Sequence, residues 1–396
     1  MRSGKAFVAG VGAVPFTKPG ASDPYDVMAA AATARALHDA RLDYRAIEQA
    51  IVGYVYGDST SGQRALYRVG MTGIPIVNVN NNCSTGSTAL YLARQLVESG
   101  AVDCVLALGF EQMRPGALTE YWNDRPSPFA RFDELCAEIA PYPVPLALRY
   151  FGGAGREYMD RYAVGADLFA RVRAKASRHA ANNPTALLRK VVSEQEVLDA
   201  PLICAEAGMT RLMACPPTCG AAAAVLVSED FARRMDLDRR VVIAAQAMTT
   251  DRPGTFEERS MIALVGADMS REAAGQVYEQ AGIGPADLDV VELHDCFAQN
   301  EILTYEALGL CPEGGSARFV ADGDNTYGGR VVTNPSGGLL CKGHPLGATG
   351  LAQCVELVEQ LRGQAGARQV DNARIALQHN LGLGGACVVT LYQRSE

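Results

Sequence analysis

Cys83 lies between the β-rich run Ile76 to Val79 and a helical run that begins at Ser84. A thiol at a helix N-terminus meets free backbone N–H groups and the positive end of the helix dipole, and both favour a thiolate. A free cysteine has a pKa of about 8.5, so a cysteine nucleophile working at neutral pH gains from such help. The small residues Ser84, Gly86 and Ser87 leave room for a substrate to approach. Position alone leaves a buried strand-end cysteine as an equal alternative. A second cluster, His294-Asp295-Cys296-Phe297, follows the apolar run Val290 to Leu293 and precedes the helical run Asn300 to Leu308. An imidazole and a thiol two residues apart at a strand end can face one cleft, where histidine is suited to acid–base work and cysteine can carry a proton. A zinc reading needs a second Cys/His pair at ligand spacing, and Cys215-Pro-Pro-Thr-Cys219 is a lone pair.

The third segment is Gly343-His344-Pro345-Leu346-Gly347. Pro345 biases His344 towards extended backbone, which aims its ring out of the loop. Gly343 and Gly347 permit close approach. Alone, the motif reads equally well as a histidine capping a turn. The fourth segment, Gln378 to Ala386, reads as a strand, a glycine-rich turn and a return strand. Such a turn can present a bare N–H to a developing oxyanion. Glycine-rich hairpins are common, and His379 itself reads as structural.

The elements that carry these segments recur in order. A helical stretch from Tyr25 to Ala40 leads through Ile47 to the strand Ala50 to Tyr54. Later, the helical stretch Arg271 to Ala281 leads through Leu288 to the strand Val290 to Leu293. Cys83 then precedes a helix running to Ser99, and His344 precedes one running to about Arg362. Thr85-Gly86 and Thr349-Gly350 fall at comparable helix starts. Each half is expected to end in a hairpin, Cys219 to Val227 in one and Gly382 to Leu391 in the other. Strands alternating with helices predict βαβ units and mostly parallel sheets, as in the apolar runs Val105 to Leu108 and Ala222 to Val227. The stretch between them, rich in Pro, Arg and Asp, reads as an insertion. This gives an N-terminal half at 1–112 and 219–240, a loop domain at 113–218 and a C-terminal half at 241–396.

At 396 residues the chain is too long for one ordinary core. Its 48% hydrophobic and 20% charged residues fit a folded protein without a long disordered tail. A net charge of −8 argues against nucleic-acid binding. Eleven cysteines, an odd number, with no secretory signal pattern predict reduced thiols and a cytoplasmic location. No apolar run approaches the length of a membrane span, so no membrane insertion is expected. The terminal Gln393-Arg394-Ser395-Glu396 is not a peroxisomal address.

Taken together, the four segments resemble the thiolase superfamily over about Val8 to Tyr392, and most closely its sterol-carrier-protein type. Gly53-Tyr-Val-Tyr-Gly-Asp-Ser-Thr60, Val77-Asn-Val-Asn-Asn-Asn-Cys83, Leu293-His-Asp-Cys-Phe297, Thr304 to Gly314 and Gly343-His-Pro-Leu-Gly-Ala-Thr-Gly350 carry the resemblance. It implies a duplicated α/β fold of two βαβαβαββ halves in five layers, αβαβα. It also implies 3-ketoacyl-CoA thiolysis in fatty-acid or sterol side-chain degradation, with acyl-CoA and coenzyme A as substrates, no other cofactor and no metal. Cys83 would be the nucleophile, His344 its base and Cys296 the second reactive cysteine. His294 and His344 would hold one oxyanion, and the backbone N–H groups of Cys83 and Gly384 the other. Typical thiolases place the second cysteine where this chain has Gly382, and Cys387 reads as core. Thr218-Cys219-Gly220 stands where close relatives have Ser-Asp-Gly, a change expected to alter local hydrogen bonding alone. The resemblance further implies a homodimer paired through Ile76 to Val79. Two rivals stay open: a steroid side-chain retro-aldolase working with an OB-fold partner protein, and a non-catalytic lipid-transfer protein. In such retro-aldolases tyrosine often replaces the catalytic histidines, and both histidines are present here.

Overall fold

The structure is a computed structural model that describes residues 4–115 and 122–395. Residues 116–121 of the expected insertion, residues 1–3 and residue 396 lie outside the described residues.

The first half runs β1 (Ala6–Ala13), α1 (Tyr25–Ala40), β2 (Gln49–Gly53), α2 (Ser61–Tyr67), β3 (Ile76–Val79), α3 (Thr85–Glu98) and β4 (Cys104–Glu111). Then come four helices, α4 (Ala130–Ile139), α5 (Leu146–Tyr162), α6 (Asp167–Ala181) and α7 (Glu194–Leu198), and a small antiparallel pair, β5 (Leu202–Cys204) and β6 (Met209–Thr210). The chain returns to the sheet through β7 (Gly220–Ser228) and α8 (Glu229–Arg234). The second half runs β8 (Val241–Thr249), the short α9 (Gly254–Glu257) and α10 (Met261–Leu264), α11 (Ala267–Ala281), β9 (Val290–Glu292) and α12 (Ala298–Ala307). It ends with α13 (Ser316–Ala321), β10 (Val332–Thr333), α14 (Gly338–Lys342), α15 (Leu346–Arg362), β11 (Ile375–Gly382) and β12 (Ala386–Arg394).

The strand order is β10-β9-β11-β12-β8-β1-β7-β4-β2-β3. Read outward from the β1–β8 junction, each half has the same succession: first, fifth, fourth, second and third strand. The duplicated α/β fold expected from the sequence is therefore present. The strand directions need a correction. β2 runs parallel to β3 and β4, and β9 to β10 and β11. The strands nearer the junction are antiparallel: β1 with β7 and β8, β4 with β7, β8 with β12, and β11 with β12. Helical crossovers make the outer strands parallel, whereas the fourth and fifth strands of each half meet as a hairpin would. In the first half that hairpin is not within Cys219 to Val227, as expected. It is β4 with β7, opened by the inserted helices.

Alternation along the strands divides the core into layers. Leu106 and Leu108 of β4 face α1 and α2, while Val105 and Ala107 face α3 and α15. The second sheet turns Val389 and Leu391 towards α11, α12 and the inserted helices. Helices α3 and α15 therefore lie between the two half-sheets, which completes the αβαβα order. Pro24 opens α1 and Pro345 opens α15, where a missing N–H costs nothing. Each fully buried leucine of α15, such as Leu357 and Leu361, contributes roughly 1.5–3 kcal/mol.

Arg362, at the end of α15, ties the halves together. Its guanidinium donates to Asp39 Oδ2 at 2.7 Å and to the carbonyls of Val8 and Ala9 at 2.8 and 3.0 Å. The side chain is 2% exposed. Arg362→Ala takes this donor from two buried carbonyls and from Asp39, so it is expected to destabilise the fold by about 1–3 kcal/mol in urea titration. Wild-type stability would show that the junction does not need this link.

Candidate functional site

Residues Asn80 to Cys83 turn directly from β3 into α3. Asn82 is left-handed (φ 50°), a conformation asparagine tolerates better than most residues. Thr85 Oγ1 accepts from the Asn81 N–H at 2.9 Å and donates to the Asn82 carbonyl, while Ser84 Oγ donates to the Asn81 carbonyl. These bonds fix Cys83 at the head of α3. His344 occupies the equivalent place before α15. A Cβ built on Gly86 would lie 2.8 Å from the Gly347 carbonyl oxygen, and one on Gly350 would lie 2.4 Å from the Ser87 nitrogen. The two helix starts thus touch through backbone.

This contact brings the Cys83 sulfur and one ring nitrogen each of His294 and His344 within 4.8 Å of one another. The two imidazoles meet edge to face, with centroids 5.0 Å apart. His344 Nδ1 bonds Thr349 Oγ1 at 2.7 Å, and its Nε2 is buried without a hydrogen-bond partner. His294 Nδ1 bonds Asn380 Nδ2 at 3.1 Å, and Asn380 Nδ2 also donates to the Cys83 carbonyl. Burial lowers the pKa of His344 to about 3. Burial also holds His294 well below the usual histidine range, with His344 and His379 adding to the effect.

Cys83 keeps partial access to solvent, yet burial of its sulfur pushes the thiol up to about 12, and the Glu111 carboxylate adds to the rise. The expected thiolate is thus not the resting state: desolvation outweighs the helix N-terminus. Glu111 itself is fully buried and accepts from the backbone N–H groups of Val55, Tyr56 and Gly347 at 3.1, 2.9 and 3.0 Å. It pins the first turn of α15 beside the nucleophile loop. Burial raises its pKa to about 7 against the three N–H groups that lower it.

Cys296 is buried, and burial raises its thiol well above the ordinary range. The charges of Cys215 and Cys83 act in the same direction. Sequence reasoning weighed Cys215 only as a zinc ligand, and its place in the site was not seen. Its N–H donates to the Cys296 carbonyl at 2.9 Å, and its own thiol is raised by burial and then by Cys83. Short bridges join Ala214 to Phe297 and Pro217 to His344, so the segment entering β7 stitches two reactive loops together. A Cβ on Gly343 would lie 2.7 Å from Thr218 Cγ2. The Thr218-Cys219 departure therefore packs directly on the His344 loop, closer to the chemistry than expected. No spacing rule in the sequence pairs Cys215 with Cys296, because strand return after an insertion brings them together.

The inserted helices brace the same loops. Lys175 of α6 bonds Glu301 and the Thr333 hydroxyl, the latter at 2.6 Å. His179 Nδ1 lies 3.0 Å from the Asn334 carbonyl, and Asn183 Nδ2 donates to the Ser336 carbonyl at 2.8 Å. Phe151 of α5 stacks on Phe297 at 4.9 Å. Asp295, between His294 and Cys296, accepts from Leu339 and Leu340 N–H at 2.7 and 3.3 Å and so holds α14. Gly384 lies in the β11–β12 turn at φ 89°, and Asn82 Nδ2 donates to the adjoining Leu383 carbonyl at 3.1 Å. His379 backs the site, taking the His294 N–H on Nδ1 at 3.4 Å and bonding Ser270 Oγ through Nε2. Cys387 is fully buried and directs its sulfur to Ser270 Oγ at 3.7 Å.

Two family models cover most of the chain: "Thiolase, N-terminal domain" over residues 13–135 and "Thiolase C-terminal domain-like" over residues 255–392. The chain belongs to the thiolase superfamily. It is 54% identical over 394 residues to sterol carrier protein 2 of Oryctolagus cuniculus, covering 98% of this chain and 72% of that protein. Benzoylsuccinyl-CoA thiolase subunit BbsB of Thauera aromatica is 33% identical over 390 residues, covering 97% of this chain and 95% of that one. Among solved structures, an Ltp2-ChsH2(DUF35) aldolase aligns with a TM-score of 0.83 at 22% identity, over 99% of this chain and 98% of that one. Human mitochondrial 3-ketoacyl-CoA thiolase aligns with a TM-score of 0.75 at 16% identity, over 100% of each chain. At those identities the likeness is one of fold.

One thiolase feature cannot be restored in this chain without strain. A Cβ at Gly382 would lie 2.3 Å from the Asn81 carbonyl oxygen and 2.8 Å from Ser84 Oγ. Strand β11 is packed straight onto the nucleophile loop, so the cysteine that typical thiolases carry here has no room. Gly382→Cys is expected to cost about 1–3 kcal/mol in urea titration and to lower activity. A variant as stable and active as the wild type would show that this packing is dispensable.

Proposed function

We propose that the chain is a 3-ketoacyl-CoA thiolase that cleaves the C2–C3 bond by way of an acyl-Cys83 intermediate. The observation that carries this is the convergence of the Cys83 sulfur with His294 and with the unpartnered Nε2 of His344. A neutral thiol beside a neutral imidazole calls for general-base attack rather than a standing ion pair. His344 Nε2 takes the thiol proton as the sulfur bonds C3 of the substrate. The C2–C3 bond then breaks, its electron pair passing to the departing acyl-CoA enolate. Cys296 gives its proton to C2, releasing acetyl-CoA, or propionyl-CoA from a 2-methyl substrate. The Cys296 thiolate next deprotonates coenzyme A, whose sulfur attacks the acyl-Cys83 thioester. Collapse frees the Cys83 sulfur, which recovers its proton from His344. Histidine N–H groups would hold the enolate oxygen, and the backbone N–H groups of Cys83 and Gly384 the tetrahedral oxyanion. Each such donor contributes on the order of a hundredfold in rate. No resident cofactor or metal is required.

A place in fatty-acid or sterol side-chain breakdown follows from the substrate class. The described cysteines are all free thiols, consistent with a reducing, cytoplasmic setting. No helix among the described residues is long and apolar enough to cross a membrane. The retro-aldolase reading has one point in its favour, the aldolase with a DUF35 component among the structural neighbours. The lipid-transfer reading rests on relatives such as the Caenorhabditis elegans "Non-specific lipid-transfer protein-like 2". Neither accounts for two buried neutral histidines beside a cysteine. Incubation with straight-chain, 2-methyl and steroid 3-ketoacyl-CoAs should leave a mass-detectable acyl group on Cys83 when coenzyme A is withheld. No adduct with any of them would sink the thiolase reading.

Cys296→Ser should still acylate Cys83 slowly but lose turnover, because a serine hydroxyl cannot match a thiol substrate in acidity. Cys387→Ser should be nearly neutral. The opposite pattern, read from steady-state rates, would reverse the two roles.

The homodimer is part of the same reading. β3 is one of the two edge strands of the sheet, and Val77 on it is 40% exposed. An unpaired edge of this kind invites a second strand. Light scattering at micromolar concentration should give twice the chain mass, and a monomer there would count against it.

A further inference from the structure

We propose that Asn380 is a positioning residue that holds His294 in its Nε2–H tautomer, opposite to the tautomer that Thr349 imposes on His344. The inference deepens the acyl-transfer reading and rests on it for its catalytic meaning. Its structural content stands on hydrogen-bond directions alone.

The directions follow one from another. The Gly350 carbonyl can only accept, so the nitrogen of the Gln378 amide faces it, at 2.7 Å. The Gln378 oxygen is then free to accept from Tyr392 Oη at 2.5 Å. The second N–H of Gln378 points at Ser87 Oγ, also at 2.7 Å. Ser87 must therefore spend its one proton elsewhere, and it reaches Asn380 Oδ1 at 2.8 Å. With its oxygen so engaged, Asn380 turns Nδ2 towards the Cys83 carbonyl and His294 Nδ1, each at 3.1 Å. The Cys83 carbonyl, itself only an acceptor, demands the same amide orientation independently. An N–H aimed at Nδ1 needs a lone pair there, so the neutral His294 ring carries its proton on Nε2.

His344 is wired the other way. Thr349 Oγ1 donates to the Pro345 carbonyl at 3.0 Å, so towards His344 it accepts. The His344 proton is therefore on Nδ1, and the bare Nε2 is the nitrogen that has no partner. Two identical side chains thus enter one site as a ready hydrogen-bond donor and a ready base. The arrangement also bears on metal binding. Cys83, His294 and His344 have donor atoms close enough for an ion, but with its proton on Nε2 and its Nδ1 lone pair taken by the Asn380 N–H, His294 keeps no free lone pair for one.

The groups facing His294 are few. His344, His379 and the Cys83 thiol surround the ring. Asp295, next in sequence, spends its carboxylate on the N–H groups of Leu339 and Leu340. Asn380→Asp keeps the side-chain shape and inverts the demand, since a carboxylate accepts a proton from Nδ1 and favours a charged ring.

The test is nitrogen NMR on protein labelled with 15N-histidine, feasible because the chain has five histidines. His294 and His344 are assigned by single replacement. In the wild type His294 should show a protonated Nε2 and a bare Nδ1, and His344 the reverse. A protonated Nδ1 on wild-type His294 overturns the proposal without any activity measurement. In Asn380→Asp the His294 pattern should invert or become doubly protonated. Thiolysis should then fall about a hundredfold in kcat with KM little changed, and the acidic limb of the pH–rate profile should move up. An inverted tautomer with undiminished kcat would overturn the positioning role. Should Asn380→Asp not fold, the wild-type spectrum alone decides the tautomer. A correct tautomer pair in a protein that acylates with no 3-ketoacyl-CoA would instead refute the thiolase reading and leave this assignment standing.

Discussion

Backbone contact between the first turns of α3 and α15 sets the other distances in the site. A side chain larger than hydrogen at Gly86 or Gly350 would hold the two helices apart. Without that approach Cys83 and His344 would belong to separate halves of a duplicated fold. With it, the repeat that makes the sheet also makes a two-sided cleft, because equivalent helix starts meet at the pseudo-twofold centre. The remaining loops are then recruited to one place. The β9 loop brings His294 and Cys296, the β11–β12 turn brings Gly384, and Glu111 at the end of β4 ties the first turn of α15 to the segment that follows β2.

Close packing has an electrostatic consequence. Water is largely excluded, so every titratable group in the centre drifts towards its neutral form: cysteines upward, histidines downward, Glu111 upward. A site of neutral partners has no standing charge to attract ions or to react indiscriminately. On the proposed mechanism it acquires charge only as bonds to a substrate form, against donors such as the backbone N–H groups of Cys83 and Gly384. The same exclusion explains why hydrogen-bond direction, rather than ionisation, decides which histidine donates and which accepts.

Much of this was legible in the sequence, and for identifiable reasons. The helix Tyr25–Ala40 was readable with the bounds it has in the structure, and the repeat was readable because helix, turn and strand recur in the same order in both halves. Cys83 and His294 stood out because each follows an apolar strand and precedes a helix, and His344 because it follows a glycine-rich stretch and precedes one. Strand direction in the middle of the sheet was not readable, since an apolar run such as Ala222 to Val227 looks the same in either sense. Nor was Cys215, whose place depends on how an inserted stretch of helices folds back before β7. Gly382 could be seen as a missing cysteine. That the position has no room for one is a matter of β11 touching Asn81, which no single sequence discloses.

The buried polar groups bear on whether such a chain is a catalyst or only a carrier. A ring nitrogen left without a partner in a dry interior costs roughly 1–3 kcal/mol, and His344 Nε2 is in that position. An apolar residue of similar size would avoid the cost and pack as well against Thr349 and His294. A fold that only sheltered a lipid would gain nothing from the penalty. Around His344 and His294, moreover, the surrounding bonds are spent on orientation: Thr349 occupies one nitrogen of the first ring and Asn380 one nitrogen of the second. Structural histidines are arranged otherwise, as His379 and His179 show, each with both nitrogens bonded. Within one chain the contrast separates two rings held for their shape from two rings held with one nitrogen unbonded, and an unbonded nitrogen is of use only to something that comes to meet it.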